Sequence, residues 1–221
     1  MRTARLLAPL AIGAALLAAN VAQAADAIPY PNSGAYNGST YTFTAATTGD
    51  VVAYIVGGFS AGYENQIGLL VNGVDTGVYG LVNHSSSVGD SLNFGQVTAG
   101  DTLTFVLDNL SLGQKAYSDA SLNGAYDLPD WTGGHNHAYS TAYTATSPVF
   151  AGVPMGAYVA FEDLQFGGSD FNYDDESFVF TNAAIIPGGD GVPEPSAWAL
   201  MLLGFGAVGL MARRGRTFAA A

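Results

Sequence analysis

Six carboxylates and an asparagine crowd into fifteen residues: Glu162, Asp163, Asp170, Asp174, Asp175 and Glu176, with Asn172 among them. No Lys or Arg lies in that stretch. Like charges held this close repel one another, so a compact fold there calls for a counter-charge. A hard divalent cation is the simplest supplier. Calcium takes roughly six to eight oxygen ligands in flexible geometry, and carboxylates with an Asn carbonyl suit it. The sequence therefore nominates Glu162, Asp163, Asp170, Asn172, Asp174 and Asp175 as Ca2+ ligands, with Glu162 and Asp163 returning from a strand end. Asp170-x-Asn172-x-Asp174 matches the first three ligand positions of an EF-hand loop. The match stops there, because Asp175 stands in place of the Gly and Thr181 in place of the Glu, and flanking helices are missing. A site in a β-domain loop remains, with a solvated acidic hairpin as the competing reading.

His135-Asn136-His137 is a second candidate. Residues i and i+2 share a strand face, so both imidazoles can meet one metal, with Asp127 or Asp130 as a third ligand. The flexible Trp131-Thr132-Gly133-Gly134 context favours surface or packing histidines instead. His84, after a strand end, reads as structural. Nucleophilic chemistry has little support. There is no Gly-x-Ser-x-Gly elbow, no His-Glu-x-x-His and no cysteine. No catalytic activity is expected. Paired carboxylates keep a carbohydrate-active enzyme as an alternative, although they crowd one loop instead of facing each other across a cleft. A lectin-like module is a further alternative, with Tyr126, Trp131, Tyr139 and Tyr143 as a sugar-binding surface. Ordinary core and loop aromatics are the favoured reading of those four.

The elements that must position these groups read as strands. Thr40–Thr44 and Thr102–Leu107 alternate, whereas Val51–Val56 is a continuous apolar run, as for a strand covered on both faces. Gln66–Val71 and Thr76–Val82 flank Asn72-Gly73, a hairpin turn signal. Ala157–Phe161 and Ser177–Phe180 supply late strands. Gly-Asp turns at 49–50, 89–90 and 100–101 punctuate the series. The expected fold is all-β, an antiparallel β-sandwich or jelly roll over residues 40–184. Leu103, Phe105 and Leu107 belong to its core, as do Phe178 and Phe180. Residues 25–39 read as an N-terminal arm, 119–147 as a surface excursion and 185–195 as a Pro/Gly linker.

The two ends are chemically unlike this middle. Arg2 and Arg5 precede the uncharged Leu6–Ala19, and Ala22 and Ala24 place small residues at a cleavage site. Residues 1–24 thus read as a signal peptide helix removed by signal peptidase after Ala24. At the other end, residues 197–212 are uncharged and span roughly 24 Å as a helix, a little short of a ~30 Å hydrocarbon core. Arg213, Arg214 and Arg216 follow, and the positive-inside rule keeps them in the cytoplasm. The sandwich is therefore expected between a signal helix and a single C-terminal hydrophobic helix.

Val192-Pro193-Glu194-Pro195, the apolar helix and the arginine cluster occur in that order. Over residues 192–216 they resemble the PEP-CTERM sorting signal of Gram-negative bacteria. The resemblance implies recognition by exosortase, a membrane-bound cysteine-dependent transpeptidase-like protease. It also implies a transient inner-membrane anchor, removal of the tail, and delivery to the cell surface or extracellular polysaccharide. A permanent tail anchor is the alternative. Residues 157–182 resemble the closing motif of an uncharacterised bacterial surface β-domain with no established activity. The motif is carried by Phe161-Glu162-Asp163-Leu164 and Ser169-Asp170-Phe171-Asn172-Tyr173-Asp174-Asp175.

The net charge of the 221 residues is −12. Without residues 1–24 and 192–221, seventeen acids and Lys115 remain, a net of −16. Such a chain has no basic footprint for nucleic acid. Its 49% hydrophobic content is too high for a disordered acidic tail. With no cysteine it has neither a disulfide framework nor a thiolate metal site. The expected product is an exported, exosortase-sorted surface or matrix protein with a Ca2+-binding β-sandwich.

Overall fold

The computed structural model describes residues 28–127, 134–144 and 152–187. The signal peptide with Ala22 and Ala24, the sorting segment Val192–Arg216 with its helix, and Asp130 and Trp131 lie outside the described residues. Among the described residues, no helix is long and apolar enough to cross a membrane.

The chain forms strands β1 (Tyr41–Ala45), β2 (Gly49–Gly57), β3 (Asn65–Val71), β4 (Val74–Gly80), β5 (Ser91–Val97) and β6 (Thr102–Asn109). Then follow β7 (Gln114–Tyr117), a 3-10 turn at Ala120–Leu122, β8 (Ala138–Tyr143), β9 (Gly156–Phe161), β10 (Glu176–Phe180) and β11 (Ala183–Pro187). They make two antiparallel sheets. One runs β11-β1-β6-β3-β4, with β7 alongside the end of β6; the other runs β5-β2-β10-β9-β8. The sandwich expectation holds at this level.

Alternation explains the core between the sheets. Phe43, Ile67, Leu69, Leu103, Phe105 and Leu107 of the first sheet meet Val51, Ala53, Ile55, Val159, Phe161, Phe178 and Phe180 of the second. Phe105 stacks on Phe180 with ring centroids 3.7 Å apart. The second sheet is also covered on its far face, where Val56, Tyr158, Ala160 and Val179 pack with Tyr30 of the N-terminal arm and Tyr173. Two covered faces account for the unbroken apolar runs in β2 and β9. Asn72 (φ 52°) and Gly73 (φ 78°) close the β3–β4 hairpin as a two-residue turn with both central φ values positive.

Two expectations change. The stretch 119–147, expected as a surface excursion, contains β8, paired with β9 from Ala138↔Phe161 to Tyr143↔Gly156. Its residues AYSTAY are mostly small or hydroxylated, so the strand leaves little hydrophobic signal and owes its place to pairing. The expected linker begins too early, because Ile185–Pro187 belong to β11, which pairs with β1 from Ala45↔Ala183 to Tyr41↔Pro187. The final strand thus closes the first sheet beside the first strand, and Ile185 packs on the core.

Candidate functional site

The acidic segment connects β9 to β10, whose paired ends are Phe161 and Glu176. Strand alternation continues past Phe161 and sends neighbouring acids to opposite faces. Glu162, whose N–H donates to His137 O just before β8, carries its carboxylate to the outer side. There it accepts the Ser169 hydroxyl and the Tyr173 N–H. Burial pushes its pKa up, and those hydrogen bonds oppose the rise.

Asp163 contributes to the inner side. Asn65 Nδ2 donates to Asp163 Oδ2 at 2.7 Å. The Asp163 carbonyl accepts from Tyr126 OH at 2.5 Å and Asn109 Nδ2 at 3.0 Å. The Asp163 N–H donates to Asp175 Oδ2 at 2.9 Å. Burial and the adjacent Asp163 charge push the Asp175 carboxyl up to about 8. Glu176 is fully buried, and neither carboxyl oxygen has a hydrogen-bond partner within the protein. Burial, then Asp163 and Asp175, raise its pKa well above the usual range. Glu176 lies on the same strand face as Phe178 and Phe180, so it aims between the sheets. Asn65 Oδ1 is likewise buried and unpartnered. Gly58 (φ 95°) lets the end of β2 approach, since a Cβ there would collide with the Asp175 carbonyl oxygen.

Asp170, Asn172 and Asp174 form a turn nearer the surface. Asp170 Oδ1 accepts from Asn172 N at 3.2 Å, and Asn172 Oδ1 accepts from Asp174 N at 3.0 Å. Phe171 and Tyr173 between them take positive φ, 55° and 54°, which is uncommon for aromatic residues. The arm offsets this strain. Gly34 N donates to Phe171 O, Asn37 N donates to Tyr173 OH, and Tyr30 packs edge-on against Tyr173 at 4.8 Å.

The six nominated ligands therefore fall into three groups: Glu162 on the outer side, Asp163 with Asp175 on the inner side, and Asp170, Asn172 and Asp174 in the turn. They do not share one coordination sphere. As placed, no three His, Asp or Glu groups among the described residues stand at metal-holding spacing. The inner group gains two members that the nomination omitted, Glu176 and Asn65. Glu176 carried a signal, the 176/178/180 alternation. Asn65, 98 residues before Asp163, carried none.

Asp127 does come together with both histidines. Its Oδ2 accepts from His135 N at 2.9 Å and lies 3.2 Å from His135 Nδ1. Its Oδ1 accepts from Phe166 N at 3.1 Å and lies 2.9 Å from His137 Nε2. Burial raises the carboxyl, but the His137 bond and the His135 N–H outweigh it and hold it at about 2. His137 is buried against the Tyr126 ring and His135 stacks on Phe166, so both pack as well as pair. His84 Nε2 lies 2.9 Å from Ala61 O, in a loop contact.

Among the described residues, the supposed sugar platform is not assembled. Tyr126 and Tyr143 are buried, and Tyr139 packs against Tyr30. A pocket of about 280 Å³ lies between β1, β6 and the 118–121 turn, lined by Thr40, Thr42, Thr102 and Ser118 with Asp119 as its one carboxylate.

The fold defines a two-sheet antiparallel β protein with a carboxylate-rich closing segment. Residues 191–216 match the PEP-CTERM protein-sorting motif. That motif marks an exported chain sorted through exosortase. No curated protein and no solved structure matches the chain.

Proposed function

We propose that the chain is a non-catalytic component of the cell surface or extracellular polysaccharide matrix, released from a transient inner-membrane anchor by exosortase. Its sandwich is completed by Ca2+ held in the β9–β10 segment. The observation that carries this reading is a buried set of carboxylates with no basic partner among the described residues, in a domain followed by the sorting motif. The resemblance of residues 157–182 to a bacterial surface β-domain points the same way.

Two measurements test it. The mass of the protein recovered from exporting cells is expected to lack residues 1–24 and the hydrophobic tail; an intact tail overturns the sorting part. Thermal unfolding of that recovered protein is expected to shift upward with Ca2+ relative to EDTA. Turnover of a polysaccharide by the wild type, abolished in Glu162→Gln or Asp170→Asn, would instead make it an enzyme.

A further inference from the structure

We propose that the divalent cation sits inside the sandwich, held by Asn65, Asp163, Asp175 and Glu176, and not on the outer turn of Asp170, Asn172 and Asp174. This rests on the Ca2+ reading above and names the site. Three buried oxygens, both of Glu176 and Oδ1 of Asn65, have no donor within the protein. Leaving a buried acceptor unpaired is costly, and more so when the acceptor is charged. The Asn65 amide cannot turn to relieve this, because its Nδ2 is committed to Asp163 Oδ2.

Among the described residues, no Lys or Arg faces these oxygens. Lys115, the one Lys or Arg among the described residues, donates to Tyr79 OH at 2.7 Å and lies over that ring, in the first sheet. The set is all oxygen, which suits a hard cation and not zinc or copper. Asp163 and Asp175 each commit Oδ2 to an N–H, and their carboxyls also hydrogen-bond each other, an acid pair that a cation bridges in place of the shared proton. By contrast the outer turn already satisfies itself, with Asp170 and Asn172 oxygens occupied by local N–H groups.

The placement gives the ion a structural task. Asn65 opens β3 of the first sheet, whereas Asp163, Asp175 and Glu176 belong to the β9–β10 hairpin of the second. A cation bound by all four ties the two sheets together at one end of the core. Since no three acids stand at ligand spacing as placed, closure takes side-chain rotation of Glu176, which calcium's flexible geometry permits, while Asp163 keeps its bond to Asn65.

The test uses processed protein from exporting cells, unfolded thermally at pH 8 in EDTA or in excess CaCl2. Wild type is expected to gain about 5–10 °C at a hundredfold excess over Kd. Asp170→Asn keeps that gain and Glu176→Gln loses it. The reverse pattern, loss in Asp170→Asn and retention in Glu176→Gln, places the ion on the outer turn and overturns this site while sparing the Ca2+ reading. No gain in wild type overturns both. A second readout avoids the Glu176 variant altogether. Tb3+ luminescence excited through tyrosine is expected to dim in Tyr126→Phe, because Tyr126 touches Asp163. Undiminished emission overturns the inner site.

Discussion

Asp127 and Glu176 are both buried carboxylates packed against the same β9–β10 segment, and they are treated in opposite ways. Asp127 receives two backbone N–H groups and faces two imidazoles, and its pKa falls to about 2. Glu176 receives nothing within the protein, and its pKa rises. The first is a closed network in which charge is answered by donors from residues 135–166. The second has two acids beside it and an asparagine whose oxygen is also unanswered. A buried anion that is fully solvated by protein dipoles fixes structure. One that is not must take a proton or a cation.

The largest effect should come from breaking the closed network. Asp127→Ala orphans the donors of His135, His137 and Phe166 and is expected to cost about 3 kcal/mol, read as a lower urea midpoint. Calcium should make no difference to that loss.

Next comes the pH dependence, where the two sites have opposite signs. Asp127, with a lowered pKa, stabilises the fold above the ordinary carboxylate range, and this is lost as pH falls toward about 2. Asp175, raised to about 8, does the reverse: in EDTA the fold loses stability as pH climbs from about 4 to about 8. Calcium should offset about 2–3 kcal/mol of that decline at a hundredfold excess over Kd. Urea unfolding across this pH range, with and without Ca2+, measures both.

Glu176→Gln sharpens the contrast at smaller scale. In EDTA at pH 8 it replaces a strained acid by an amide and is expected to gain about 1 kcal/mol. Smallest is Asp170→Asn, an exposed change in a self-bonded turn, expected within about 0.5 kcal/mol in the same assay.

Local pattern carried much of the fold. The alternation in β6 and β10 named Leu103, Phe105, Leu107, Phe178 and Phe180 as core, and all five are buried there. Asn72-Gly73 marked its hairpin because few other residues accept two positive φ values. The polar edge strand β7, QKAY, and the small-residue strand β8 exist because a neighbour offers them a ladder, so their own side chains say little. The acidic segment was visible from composition, but its division was not. Which way Glu162 and Asp163 point depends on β9 ending where it does, and Asn65 arrives from another sheet. Asp127 with His135 and His137 was visible as a grouping. Its closure by Phe166 N depends on the path of the later loop.

Calcium completes the unanswered carboxylates. Titration calorimetry of Ca2+ into the processed wild-type protein and Glu176→Gln, at pH 5 and pH 8, tests it most directly. One site per chain is expected, tighter at pH 8 because the acids must lose their protons to bind, and absent in Glu176→Gln. No binding heat in the wild type, or a site untouched by Glu176→Gln, would contradict it.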